Sequence, residues 1–110
     1  MLLDNQSCKL QTNLSKLDKQ QIHDYLSVST PEWSLAETGT SINRKFEFKN
    51  FKQTMFFVNA VAYLCEQEGH HPDMKLGFGY CNIEFTTHDI GGLSINDFIC
   101  ATKIDKLCQK

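Results

Sequence analysis

From about Phe51 to Glu68, apolar residues recur at helical steps, and the helix they predict ends on a fixed local signal. Phe51, Met55, Val58, Ala62 and Cys65 are spaced by fours and threes, and Phe57, Val61 and Leu64 widen the stripe. Asn50 suits the N-cap, with Gln53 in the reciprocal position. Gly69 supplies the left-handed residue that closes such a helix without steric cost. Pro72 prevents the helix from resuming. His70 and His71 are thereby confined to a short, defined turn. With only 110 residues there is room for one domain, residues 1–110, and one modest core, helped by self-association.

The remaining pattern fits around this helix. Residues 1–13 carry no clear period and read as frayed. Ser15 and Asp18 form a capping box for a first helix with Ile22, Tyr25 and Leu26 on its inner face, which stops before Pro31. His23 lies off that face and reads as solvated. Trp33 to Leu35 suggests a short strand. From Ile42 the chain alternates, with Ile42, Arg44, Phe46 and Phe48 on one side and Asn43, Lys45 and Glu47 on the other. One strand is expected from about Lys75 to Thr86, weakened or bulged at Gly77 and Gly79. Ser94 and Asp97 form a second capping box, opening a last helix with Ile95, Phe98, Ile99 and Thr102 inward. Strands and helices do not alternate as a parallel sheet requires. The expected class is α+β: an antiparallel sheet of about four strands with helices packed on one face.

Composition removes several function classes. A formal net charge of −2 offers no electrostatic footprint for nucleic acid. No run approaches the roughly 20 apolar residues of a membrane span, and the N-terminus lacks a signal-peptide pattern. The five cysteines (Cys8, Cys65, Cys81, Cys100 and Cys108) are odd in number and contain no Cys-x-x-Cys pair. That usage fits a reducing cytoplasm, with Cys65, Cys81 and Cys100 as small core residues.

Three of the four histidines fall where regular elements end: His70 and His71 after the long helix, and His88 in Thr87-His88-Asp89. Imidazole exchanges protons near neutral pH, so three of them beside Glu66, Glu68, Asp89 and Asp97 suggest acid–base chemistry. The helix C-terminus and the nearby carboxylates favour a protonated ring at the pair. Each residue also has a plainer reading. The pair can be a solvated helix end, His88 a turn-former, Glu66 a solvated helix residue and Asp97 only a cap. Zinc with an open fourth position is a further alternative. Adjacent histidines diverge, however, and no helical i, i+4 histidine pair is present. Nothing marks a nucleophile elbow or a phosphate loop, so a two-proton elimination suits the residues better than acyl transfer.

The pattern Glu66-x-x-x-His70-His71-Pro72, Phe78, Thr87-His88-Asp89-x-Gly91-Gly92-Leu93-Ser94 and Asp97 resembles the pterin-4a-carbinolamine dehydratase family. The Phe46-to-Phe51 run and the helix end Ala62 to Glu66 resemble it too, so the similarity covers roughly Leu14 to Ile104. The resemblance implies a four-stranded antiparallel sheet with helices on one face, assembled as a dimer or tetramer. It implies dehydration of 4a-hydroxytetrahydropterin to quinonoid dihydropterin without metal or organic cofactor, serving an aromatic amino acid hydroxylase. On matching positions it implies an active site of His70, His71, His88, Asp97 and Glu66. It puts Gly69, Pro72, Thr86, Thr87, Asp89 and Phe78 against the pterin. Among these, His70 and His88 are expected to share the proton transfers while His71 orients the substrate. Gly69 in place of a polar residue, and Phe78 in place of a tyrosine, depart from the family pattern and bear on substrate preference. Some relatives also act as binding proteins that stabilise a partner's dimer through the helical face, which here would need an exposed stripe at Phe51, Met55 and Val58.

Overall fold

Alternation along two central strands decides which side of the sheet is covered. The computed structural model describes residues 3–10 and 13–108. Strands β1 (Ser34–Leu35), β2 (Ile42–Glu47), β3 (Asp73–Gly77) and β4 (Tyr80–Phe85) form one antiparallel sheet in the order β1-β2-β4-β3. Ile42, Phe46, Cys81, Ile83 and Phe85 fall on one face in register and are all buried. Asn43, Lys45, Glu47, Asn82 and Glu84 fall on the other and keep contact with solvent. Helices α1 (Lys19–Val28), α2 (Phe51–Glu68) and α3 (Ile95–Leu107) cover the apolar face. Arg44 shares that inner face because it pairs with Asp105 of α3 at 2.8 Å, an oxygen that also accepts from Trp33 Nε1 at 2.9 Å. Burial pushes the Asp105 carboxyl up despite these partners.

Helix α2 runs over the expected residues, and Gly69 closes it at φ +70°. Its buried stripe is Thr54, Phe57, Val58, Val61 and Cys65. Phe51 and Ala62 lie outside that stripe, a rotation from the expected centre that brings the polar Thr54 inward. Thr54 Oγ1 donates to the Phe78 carbonyl at 2.9 Å and so ties the helix to the sheet. Gln53 Oε1 accepts from Lys49 N rather than from the Asn50 cap itself.

Three expectations are corrected. Helix α1 is capped by Asp18 with Gln21, three residues after Ser15, because both positions carry a capping residue with a suitable partner three residues later. The single strand expected from Lys75 to Thr86 is a hairpin, β3 and β4, turning at Phe78-Gly79. Gly79 is required by close approach: a Cβ there would lie 2.8 Å from the Phe48 carbonyl oxygen. The N-terminal segment is docked rather than frayed over residues 3–10, the rest of 1–13 lying partly outside the described residues. Leu3 is in the core, and Asn96 clasps Lys9 by two hydrogen bonds, its Oδ1 accepting from Lys9 N and its Nδ2 donating to Lys9 O. This strap covers α3 on its outer side, so Asn96 and Cys100 are buried along with the inner Phe98 and Ile99.

Docking of the strap is testable. Leu3→Ala should cost about 2–4 kcal/mol in denaturant unfolding, the range for a buried leucine losing its side chain. A change below about 0.5 kcal/mol, the level of an exposed site, would contradict it.

Candidate active site

Two helix ends meet at the histidine pair. Helix α2 stops at Gly69 and delivers His70, whose N–H bonds to the Cys65 carbonyl at 3.2 Å. Helix α3 starts at Ser94 and delivers Asp97 in its first turn. The negative end of one helix dipole thus faces the imidazole, and the positive end of the other faces the carboxylate. His70 Nε2 lies 2.6 Å from Asp97 Oδ1, with both residues buried. The carboxylate can only accept, so Nε2 carries the proton. Phe85 of β4 lies nearly parallel to the His70 ring, at 9° with centroids 5.7 Å apart, and fixes its plane.

The second carboxylate oxygen holds the fold. Asp97 Oδ2 accepts from Ser94 N at 2.9 Å and from Thr87 Oγ1 at 2.8 Å. Since the only hydroxyl proton of Thr87 points to Asp97, Ser94 Oγ donates to Thr87 across 2.7 Å, and itself accepts from Asn96 N at 3.3 Å. One directed chain of donors runs into the carboxylate and polarises each link. Among the described residues Thr30 Oγ1 is the one buried side-chain polar atom without a partner. Among the described residues no hydrogen bond reaches His70 Nδ1, so its lone pair is left unfilled.

The other expected residues sit around this pair in different states. His71 points outward and reaches Glu66 Oε1 at 3.0 Å, both of them exposed. Gly69 and Pro72 frame the turn, and Pro72 leads into β3. Thr86 Oγ1 bonds to the Thr40 carbonyl, and Thr87 pairs through its backbone with Gly92. His88 opens a one-turn helical segment, His88–Ile90, closed by Gly91 at φ +64°; both His88 and Asp89 are exposed. Phe78 is not brought to the cluster: it sits at the hairpin tip, about 16 Å along β3 from Asp73. Among the described residues, no group of three or more His, Cys, Asp or Glu side chains is arranged to hold a metal ion. Phe85 and the hydroxyls of Thr87 and Ser94 belong to the site although the motif did not single them out in these roles. The strand alternation and the capping box were their only traces in the chain.

The donor chain predicts a stability effect. Thr87→Val should cost about 1–3 kcal/mol by leaving Ser94 Oγ and Asp97 Oδ2 short of partners, while Thr87→Ser should recover most of it. Equal unfolding midpoints for wild type and Thr87→Val would contradict the chain.

Sequence and structure comparisons point one way. Residues 15–107 match the family model described as pterin 4 alpha carbinolamine dehydratase. A Nitrosomonas eutropha protein named "Putative pterin-4-alpha-carbinolamine dehydratase" is 48% identical over 106 residues, covering 96% of this chain and 92% of that protein. The crystal structure of a transcriptional coactivator/pterin dehydratase from Brucella melitensis superposes with a TM-score of 0.81 at 22% identity, covering 86% of this chain and all of that one. A pterin dehydratase-like protein identified as a RuBisCO assembly factor in the alpha-carboxysome aligns with a TM-score of 0.62 at 26% identity, over 72% of this chain and 92% of that one. The chain therefore belongs to the pterin 4 alpha carbinolamine dehydratase family.

Proposed function

We propose that this protein is a hydro-lyase that converts 4a-hydroxytetrahydropterin to quinonoid dihydropterin and water. The observation that carries the reading is the buried 2.6 Å contact between His70 Nε2 and Asp97. With Nε2–H committed to a carboxylate, Nδ1 presents a lone pair and acts as general base toward the N5 proton of the pterin. The imidazolium that forms is stabilised by Asp97. Water loss also needs a proton at the departing C4a hydroxyl. His88, exposed one residue from Thr87, supplies it, and His71 orients the ring with Glu66 as its partner. Protons balance: one leaves N5, one joins the hydroxyl, and the two histidines exchange states through solvent. No step in this scheme calls on a metal or an organic cofactor.

The pterin lies against the Gly69–Pro72 turn and the backbone of Thr86, Thr87 and Asp89. Physiologically the reaction returns a spent pterin for reuse by an aromatic amino acid hydroxylase in the cytoplasm. No helix among the described residues is long and apolar enough to cross a membrane. The assembly surface is the outer face of α2, where Phe56 and Tyr63 are exposed. That face also supports a second reading, a binding protein that stabilises a partner's dimer. Its stripe differs from the one expected in the sequence, because Val58 is buried and Met55 packs against the core.

Absorbance traces of freshly made 4a-hydroxytetrahydropterin, with and without the protein, test the reading. The protein should accelerate water loss, and His70→Ala and His88→Ala should each lower kcat by about 10²–10³ with an unchanged circular dichroism spectrum. Near-normal turnover in both variants would contradict these roles. A folded wild-type protein giving no acceleration would favour the binding reading.

A further inference from the structure

Three thiols converge beneath the two turns that carry His70 and Asp97. Cys8 of the N-terminal strap has its Sγ 3.5 Å from Sγ of Cys100 on α3. Cys65 of α2, whose carbonyl accepts from His70 N, is buried close enough to help raise the Cys100 thiol. Cys8 is held from both sides: its N–H donates to Glu68 Oε1 at 2.8 Å, and its thiol faces the Asn96 carbonyl at 3.8 Å. Glu68 is itself fixed by Lys103. Burial alone would raise its carboxyl, and the Lys103 and Cys8 bonds more than offset that, holding it below the usual value.

Exposure separates the thiols. Cys65 and Cys100 are buried, whereas Cys8 is only half-buried and meets a dissolved oxidant first. Hydrogen bonds with Cys65 and Cys8, followed by burial, push the Cys100 thiol far up and keep its proton on. Cys8 is thus the accessible thiol of the pair and Cys100 the enclosed one.

We propose that Cys8 and Cys100 form a peroxide-responsive dithiol whose disulfide fastens the N-terminal strap to α3. The Cys8 thiolate attacks one peroxide oxygen, the O–O bond breaks, and hydroxide leaves Cys8 as a sulfenic acid. The Cys100 sulfur then displaces that hydroxyl: the S–S bond forms as S–O breaks, and the Cys100 proton departs with the hydroxyl as water. Two thiols and one peroxide give one disulfide and two waters. The sulfurs must close from 3.5 Å to about 2.05 Å. The strap can make that movement, because side-chain hydrogen bonds and not a strand ladder hold it. The bond would close a loop between residues 92 apart in sequence, across the turns that position the site.

The test uses the full chain with Cys108→Ser, which removes the exposed thiol, treated with hydrogen peroxide and examined by intact mass and peptide mapping. The expected product has lost two hydrogens, links the Cys8 and Cys100 peptides, and melts at least about 5 °C higher than the reduced protein. Dithiothreitol should reverse each change, and Cys8→Ser and Cys100→Ala should each abolish the link. Cys8 and Cys100 peptides that stay unlinked after oxidation, or a link made through Cys65 instead, would overturn the proposal.

Discussion

Asp97 has no solvent-exposed surface, and a carboxylate withdrawn from water is tolerable only when its oxygens are filled with donors. It receives three: the Ser94 amide, the Thr87 hydroxyl and the His70 imidazole. These come from the start of α3, the exit of β4 and the end of α2. The folding requirement and the site geometry are therefore one requirement. If any of the three elements shifts, a buried charge loses a partner. The arrangement of the turns around His70 follows from that penalty, as does the tautomer that leaves Nδ1 without a proton.

Local signals in the chain carried the parts whose causes are local. The long helix, its Asn50 cap and its Gly69 stop were legible because the stripe, the cap and the left-handed residue lie within one continuous segment. The hairpin was not, because Phe78-Gly79 is no familiar turn dipeptide. What demands glycine there is the approach of the Phe48 carbonyl, some thirty residues earlier in the chain. The docked strap was hidden for the same reason, since Cys8 and Lys9 find their partners 60 to 92 residues away. For Asp97 the sequence offered two competing readings, a helix cap and a site residue. The structure gives one oxygen to each, which no spacing rule could have stated.

Of the four histidines, only His70 is buried and fixed on both its hydrogen bond and its ring plane. His71 and His88 remain exposed, which suits groups that exchange protons with solvent between turnovers. The solved relatives named as coactivator and as assembly factor share this fold. The fold alone therefore leaves chemistry and partner binding open, and the weight falls on the state of particular side chains. The strap and its thiols add a third layer beneath the same turns, one that a motif centred on the histidines does not include.

The most direct test of this account is ¹⁵N NMR of the imidazole rings in the wild-type protein, assigned with His70→Gln. The account predicts that neutral His70 carries its proton on Nε2, in slow exchange and coupled to Asp97, with Nδ1 unprotonated. A His70 ring protonated on Nδ1, or averaging between tautomers as an exposed histidine does, would contradict it.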